Sequence, residues 1–352
     1  MKRTGIVRNP VFLEHLAGLD HPESPFRLKG VYDRLDDSDL SDETVLLEDR
    51  EATREEILYC HNADYYELVK NTKGARPFSF DPDTWVTARS FEAAMLAAGG
   101  GIKLVDEIME GRLDNGFALI RPPGHHALKS RGMGFCIFNN IAIAAEHLVR
   151  KHKLEKVAII DIDVHHGNGT EEQFYESKEV LYISTHQFPY YPGTGGPRDI
   201  GLGKGEGLTV NLPMPPGQED CDYLVTYEEF ILPILEEFQP QFILISAGFD
   251  THVTDQLAGM RLSTTAITQI VEDLYLASEK LCGGRFAMFL EGGYDPNILR
   301  RCVEESTKIM LGKDRKAERI ECSMMNSNAQ RFLKHVKQQL SPYWESVAKM
   351  PF

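Results

Sequence analysis

The chain has 352 residues, 42% of them hydrophobic and 26% charged, the balance of a globular protein long enough to bury a sizeable core. Its 53 acidic against 38 basic side chains leave a formal charge of −15, which opposes direct nucleic-acid binding and suits a cationic partner. No apolar run approaches the roughly 20 residues that span a bilayer, and the start, MKRTGIVRNPVF, lacks the apolar core of a secretory signal, so no membrane association and a cytoplasmic location are expected.

In chain order, HPESPFR at 21–27 reads as a turn feeding a helix over LKGVYDRL, and TREEILYCHNADYYELVK at 53–70 as one or two more. From about residue 89, short apolar runs alternate with amphipathic stretches, the pattern of parallel strands joined by crossover helices. Strands are predicted at 117–121, 156–162, 180–184, 208–212, 242–247 and 286–290, and helices at 91–110, 139–152, 222–238, 264–281 and 297–311. Pro233 predicts a kink or a late start in the helix over 222–238. With no repeat, low-complexity tract or linker, 1–352 reads as one domain, its motifs lying between about 21 and 311 and its last segment, 312–352, unassigned. The six cysteines, Cys60, Cys136, Cys221, Cys282, Cys302 and Cys322, form no C-x-x-C pair and read as reduced thiols.

Nearly every strand run is followed at once by polar or glycine-rich chemistry: RPPGHH, DVHHGNG, STHQ, SAGFD and EGGYD. In open α/β sheets ligands bind beyond the carboxyl ends of the strands, so these distant segments should meet at one edge. In AIIDIDVHHGNGT, Asp161, Asp163 and His165 are spaced i, i+2, i+4 and share a face if the strand stays extended. Two acids and an imidazole in an apolar strand resist burial without a cation, and one Asp with the His and a third ligand, for which Asp250 of SAGFD is the candidate, would make a catalytic zinc site. His125 and His126 follow a turn stiffened by two prolines and are natural acid–base groups, with Asp161 and Asn168 available behind the rings. Tyr294, on the EGG turn, could donate to an oxyanion.

The ordered set RPPGHHA, GFCIFNN, DIDVHHGNGT, ISTHQFPYYPGTG, SAGFD and EGGY resembles the metal-dependent histone deacetylases, in particular their class II-like branch with the acetylpolyamine amidohydrolases and acetoin-utilisation-type proteins. The resemblance implies an open arginase–deacetylase fold with a mostly parallel sheet and helices on both faces. It implies zinc (or iron) held by Asp163, His165 and Asp250, His125 paired with Asp161, His126 as the general base and Tyr294 polarising the acetyl carbonyl. Asn168 stands where class I enzymes have a second Asp, and the chain keeps Tyr where the weakly active class IIa branch has His. Phe135 and Tyr191 would wall a substrate tunnel, Gly134 and Gly292 line it and Leu257 sit at its rim. Arg27 matches an arginine near an internal acetate channel, and Asp81 and Asp83 are alternative rim acids. Asp161, Asp163, His165, Ser184 and Thr185 would hold potassium, and Phe174, Ser177, Val180 and Leu208 a second monovalent ion.

The implied activity is hydrolysis of an acetylated amine: acetyl-lysine in a peptide or protein, or a small acetylated amine. An acetylpolyamine amidohydrolase is the alternative, against which Leu257 stands where spermidine-selective relatives carry a glutamate. An arginase-like ureohydrolase would need two manganese ions and more Asp and His ligands than are visible. A non-catalytic acetyl-lysine reader would be expected to lose Tyr294 or a zinc ligand, and none is lost.

Overall fold

The structure, a computed structural model, describes residues 2–313 and 317–350. Among the described residues ten strands are formed: β1 (Thr4–Val7), β2 (Val45–Leu46), β3 (Phe78–Ser79), β4 (Trp85–Val86), β5 (Asn115–Ala118), β6 (Val157–Asp161), β7 (Val180–Gln187), β8 (Thr209–Met214), β9 (Phe242–Ala247) and β10 (Phe286–Leu290). Eight of them make one sheet in the order β2-β1-β5-β10-β9-β6-β7-β8, parallel at every pairing. β3 and β4 form a separate antiparallel hairpin. The central strands are continuous apolar runs, VAIID and FILISA among them, because helices cover both faces and bury every residue.

All six predicted strands are present. β5 starts earlier than the apolar run, at the buried Asn115, which donates to Met310 O at 2.8 Å and which a hydrophobic pattern does not register. β1 and β2 were not predicted, the first being four residues long and interrupted by Gly5, the second only two residues long. The predicted helices appear as Ser90–Met109, Asn140–Arg150, Thr264–Cys282 and Pro296–Met310. The stretch around Pro233 stays helical through a π turn, Tyr227–Ile231, between Asp220–Thr226 and Leu232–Phe238. Proline has no N–H to give, and the ladder widens just before it, with Leu232 N–H reaching back to Tyr227 O.

The segment beyond 312 belongs to the same core. Its helix Ser327–Leu340 packs beside β8, burying Leu333, Val336 and Leu340, and Trp344 donates to Gly207 O at 2.8 Å. The expectation of six free thiols is corrected here: Cys221 and Cys322 are disulfide-bonded, 101 residues apart, with the other four free and buried. Spacing could not reveal the pair. The fold brings them together by seating Asn326 on Asp222, which accepts at 2.7 Å on each carboxylate oxygen. Among the described residues no helix is long and apolar enough to cross a membrane.

From β6 the chain moves outward through β7 and β8, then returns to place β9 on the other side of β6. This reversal opens a crevice at the carboxyl ends of β6 and β9, where Asp163 and Asp250 emerge.

Candidate active site

The regular strand ends at Asp161, and the next residues bend rather than staying extended as the one-face expectation required. Each aspartate caps the backbone two residues on: Asp161 Oδ1 accepts from Asp163 N–H (3.2 Å) and Asp163 Oδ1 from His165 N–H (2.9 Å). Asp161 thereby turns to the His125 ring (3.0 Å) and the Tyr182 hydroxyl (3.3 Å). Asp163 and His165 turn towards Asp250, and the ligand atoms of these three lie within 4.8 Å of one another. His165 Nδ1 is 3.1 Å from Asp163 Oδ1 and 3.3 Å from Asp250 Oδ2.

Backbone amides orient both acids, Val164 N–H on Asp250 Oδ1 and Gly292 N–H on Asp163 Oδ2, each at 2.8 Å. Asp250 Oδ2 is buried with no donor in hydrogen-bonding geometry among the described residues, although His165 is near. Burial, and then the Asp163 carboxylate, push the Asp250 pKa up to about 7. Two buried carboxylates and an imidazole nitrogen aimed at one point fit a divalent metal with a side left open to substrate. Gly248 and Gly292 are required beside them, since a Cβ at either would overlap the aspartate oxygens.

The two histidines face opposite demands. Burial would lower His125, but Asp161, Asp163 and Glu291 outweigh it and hold its pKa near 10. Glu291 Oε2 also accepts from the backbone of Gly124 (2.7 Å) and His125 (3.2 Å), fixing the PPGHH turn. His126 is held well below the usual histidine range by burial and by its cationic neighbours His125 and His165. Its Nδ1 meets Asn168 Oδ1 at 2.8 Å. An amide oxygen only accepts, so Nδ1 carries the hydrogen and Nε2 is the free basic nitrogen.

A cavity of about 210 Å³ opens from these groups to solvent, lined by Gly134, Phe135, Tyr190, Tyr191, Leu257, Gly292 and Tyr294 with His125, His126, His165 and Asp83. The Phe135 and Tyr294 rings are 5.9 Å apart, and Tyr191 stands edge-on to His126 at 5.2 Å. Phe135 reaches this wall through a left-handed backbone (φ 68°), its N–H tied to Thr84 Oγ1 at 3.1 Å.

A family model described as the histone deacetylase domain matches residues 21–310. The chain belongs to the histone deacetylase family. It is 43% identical over 295 residues to a probable deacetylase of Archaeoglobus fulgidus, covering 83% of this chain and 81% of that one. It is 40% identical over 292 residues to a histone deacetylase-like amidohydrolase of Pseudomonas aeruginosa, covering 81% and 76%. The crystal structure of the HDA15 HD domain superposes with a TM-score of 0.91 at 33% identity, covering 99% of this chain and 96% of that one. Family and fold together make the chain a deacetylase that hydrolyses acetylated amines.

Within this deacetylase the other predicted residues take distinct places. Of the two rim acids, Asp83 faces the cavity, while Asp81 builds the turn beneath it, accepting from the N–H groups of Asp83 (3.1 Å) and Thr84 (2.6 Å). Arg27 is buried behind Tyr294, its guanidinium 4.7 Å from that ring and donating to Gly293 O and Glu291 O at 2.7 Å. Ser184 lies opposite Asp161 in register, and Thr185 bonds the Tyr227 hydroxyl at 3.0 Å. Of the second monovalent set, Val180 begins β7, Phe174 O accepts from Ser177 N–H (3.0 Å) and Leu208 O from Tyr182 N–H (2.9 Å). Sequence reasoning assigned no role to Tyr190, Glu291 or Asp255. Tyr190 lies beside a named residue and Glu291 within the EGGYD motif, but Asp255 sits in TDQLAG, which carries no chemical signal.

Proposed function

We propose that this deacetylase uses one zinc ion, held by Asp163, His165 and Asp250, to hydrolyse the acetyl amide of an unbranched alkyl amine, either an acetyl-lysine side chain or a small acetylated amine. The observation that carries the reading is the orphaned, buried Asp250 Oδ2, set with His165 Nδ1 and Asp163 at the base of the aromatic-walled cavity. Bound there, zinc supplies Lewis acidity towards the acyl carbonyl and towards water. Phe135 and Tyr191 hold the methylenes of the substrate and exclude solvent from its amide. His126, neutral and with Nε2 free, takes the proton of the attacking water and returns it to the departing amine. His125, kept cationic by Asp161, stabilises negative charge gathering on the acyl oxygen. Tyr294, whose phenol burial keeps protonated, donates to the same oxygen.

Asp83, partly buried at the rim, would accept from the backbone N–H of a peptide substrate. Asp161, Asp163, His165, Ser184 and Thr185 would hold potassium beneath the zinc site. That reading is supported by the buried Ser246 Oγ, opposite Asp161 in register, which finds no hydrogen-bond partner among the described residues. The test is a panel of acetyl-lysine peptides, acetylpolyamines and branched acyl amines offered to the zinc-loaded protein. Turnover confined to unbranched acetyl amines supports the reading. Equal turnover of bulky branched acyl amines overturns it.

A further inference from the structure

We infer that Asp255 is a positioning residue for catalysis, tying the rim of the tunnel to the turn that carries Tyr294; the inference rests on the role proposed above for that tyrosine. Asp255 is buried, and its two carboxylate oxygens serve two separate backbone amides. Oδ1 accepts from Leu257 N–H at 2.9 Å, and Oδ2 accepts from Tyr294 N–H at 2.6 Å. Leu257 lines the mouth of the cavity and Tyr294 its floor, so one side chain spans the two. The rim is linked further, since Leu257 O accepts from the Tyr190 hydroxyl at 3.0 Å.

The Tyr294 turn needs this tether. Gly293 has φ 116°, a conformation open to glycine, so the backbone entering Tyr294 has little steric restraint of its own. Arg27 grips the turn from one side, through Gly293 O and the tyrosine ring, and Asp255 grips it from the other through the amide. A carboxylate is the one side chain of this length that accepts on both ends. In Asp255→Asn one end becomes an NH2 group facing an N–H, so either the rim amide or the Tyr294 amide is left without an acceptor. The turn can then shift, and a displacement of about 1 Å at a reacting group can lower the rate by about 10²-fold.

Asp255→Asn should therefore lower kcat on an acetyl-lysine peptide by about 10- to 10²-fold, with KM and zinc content close to the parent. The decisive comparison is with Tyr294→Phe. If Asp255 acts through the phenol, the double variant should be no slower than Tyr294→Phe alone. Multiplied losses in the double variant would overturn the inference, as would a variant that loses thermal stability but keeps kcat per zinc-loaded chain. Should Asp255→Asn fail to fold, Asp255→Glu, which keeps the charge and misplaces it by one methylene, is read by the same comparison. If Tyr294→Phe itself keeps full activity, the reading of the tyrosine fails, and that result is separately visible in the single variant.

Discussion

Tyr294→Phe removes one oxygen from the floor of the cavity and little else. The ring keeps its edge contact with Phe135 at 5.9 Å, its place under the Arg27 guanidinium at 4.7 Å and its N–H on Asp255 at 2.6 Å. The hydroxyl has no hydrogen-bond partner among the described residues, so folding and metal content should scarcely change. What is lost is the donor proposed for the acyl oxygen, which burial keeps protonated throughout the neutral range. Loss of one such donor costs about 10²–10³ in kcat, or roughly 2.7–4 kcal/mol of transition-state stabilisation. KM should stay within a few-fold, because the aromatic walls of the cavity are untouched. The assay is steady-state deacetylation of an acetyl-lysine peptide, with zinc counted by elemental analysis on the same sample. Turnover within about threefold of the parent at full occupancy would refute the role given to the phenol.

Three further outcomes are expected. Asp250→Asn exchanges a carboxylate oxygen for a poorer ligand and should weaken zinc by more than the roughly 10- to 100-fold that losing a group behind a metal ligand costs, as read by competition with a chromogenic chelator; unchanged affinity would remove Asp250 from the metal site. His15 and His61 are buried neutral, with burial lowering their pKa values to about 3 and about 4 from 6.5, so the unfolded chain takes up protons first. Their own contribution is complete above pH 6.5 and is lost below it towards pH 4, by up to about 1.4 kcal/mol per pH unit for each group, so His61→Gln should lose less stability than the parent over that range; urea midpoints that fall in parallel in the parent and the variant would contradict this. Cys322→Ser opens the cross-link to Cys221 and should lower stability by about 2–4 kcal/mol with kcat preserved; an unchanged urea midpoint would show that the bond contributes nothing.

The parallel sheet was legible because its central strands are short, fully apolar runs, each ending in a polar motif. The same runs located the site, since the carboxyl ends of β5, β6, β9 and β10 deliver His125, Asp163, Asp250 and Tyr294 to one crevice. Periodicity failed where polar contacts decide the geometry. It could not show that Asp161 leaves the strand face for His125, because that turn is made by side-chain caps on the backbone. Nor could spacing choose between Asp81 and Asp83, two residues apart, until the hairpin of β3 and β4 turned one into the cavity and the other beneath it. Asp255 and the Cys221–Cys322 bond were invisible for a common reason: each is defined by a partner 39 or 101 residues away.

The proposed hydrolysis runs on one zinc ion at Asp163, His165 and Asp250. Metal-free protein, titrated with zinc while release of acetate from an acetyl-lysine peptide is followed, tests it most directly. Activity should rise from near zero and saturate at one equivalent per chain. Full activity without metal, or activity appearing only with two manganese ions per chain, would contradict it.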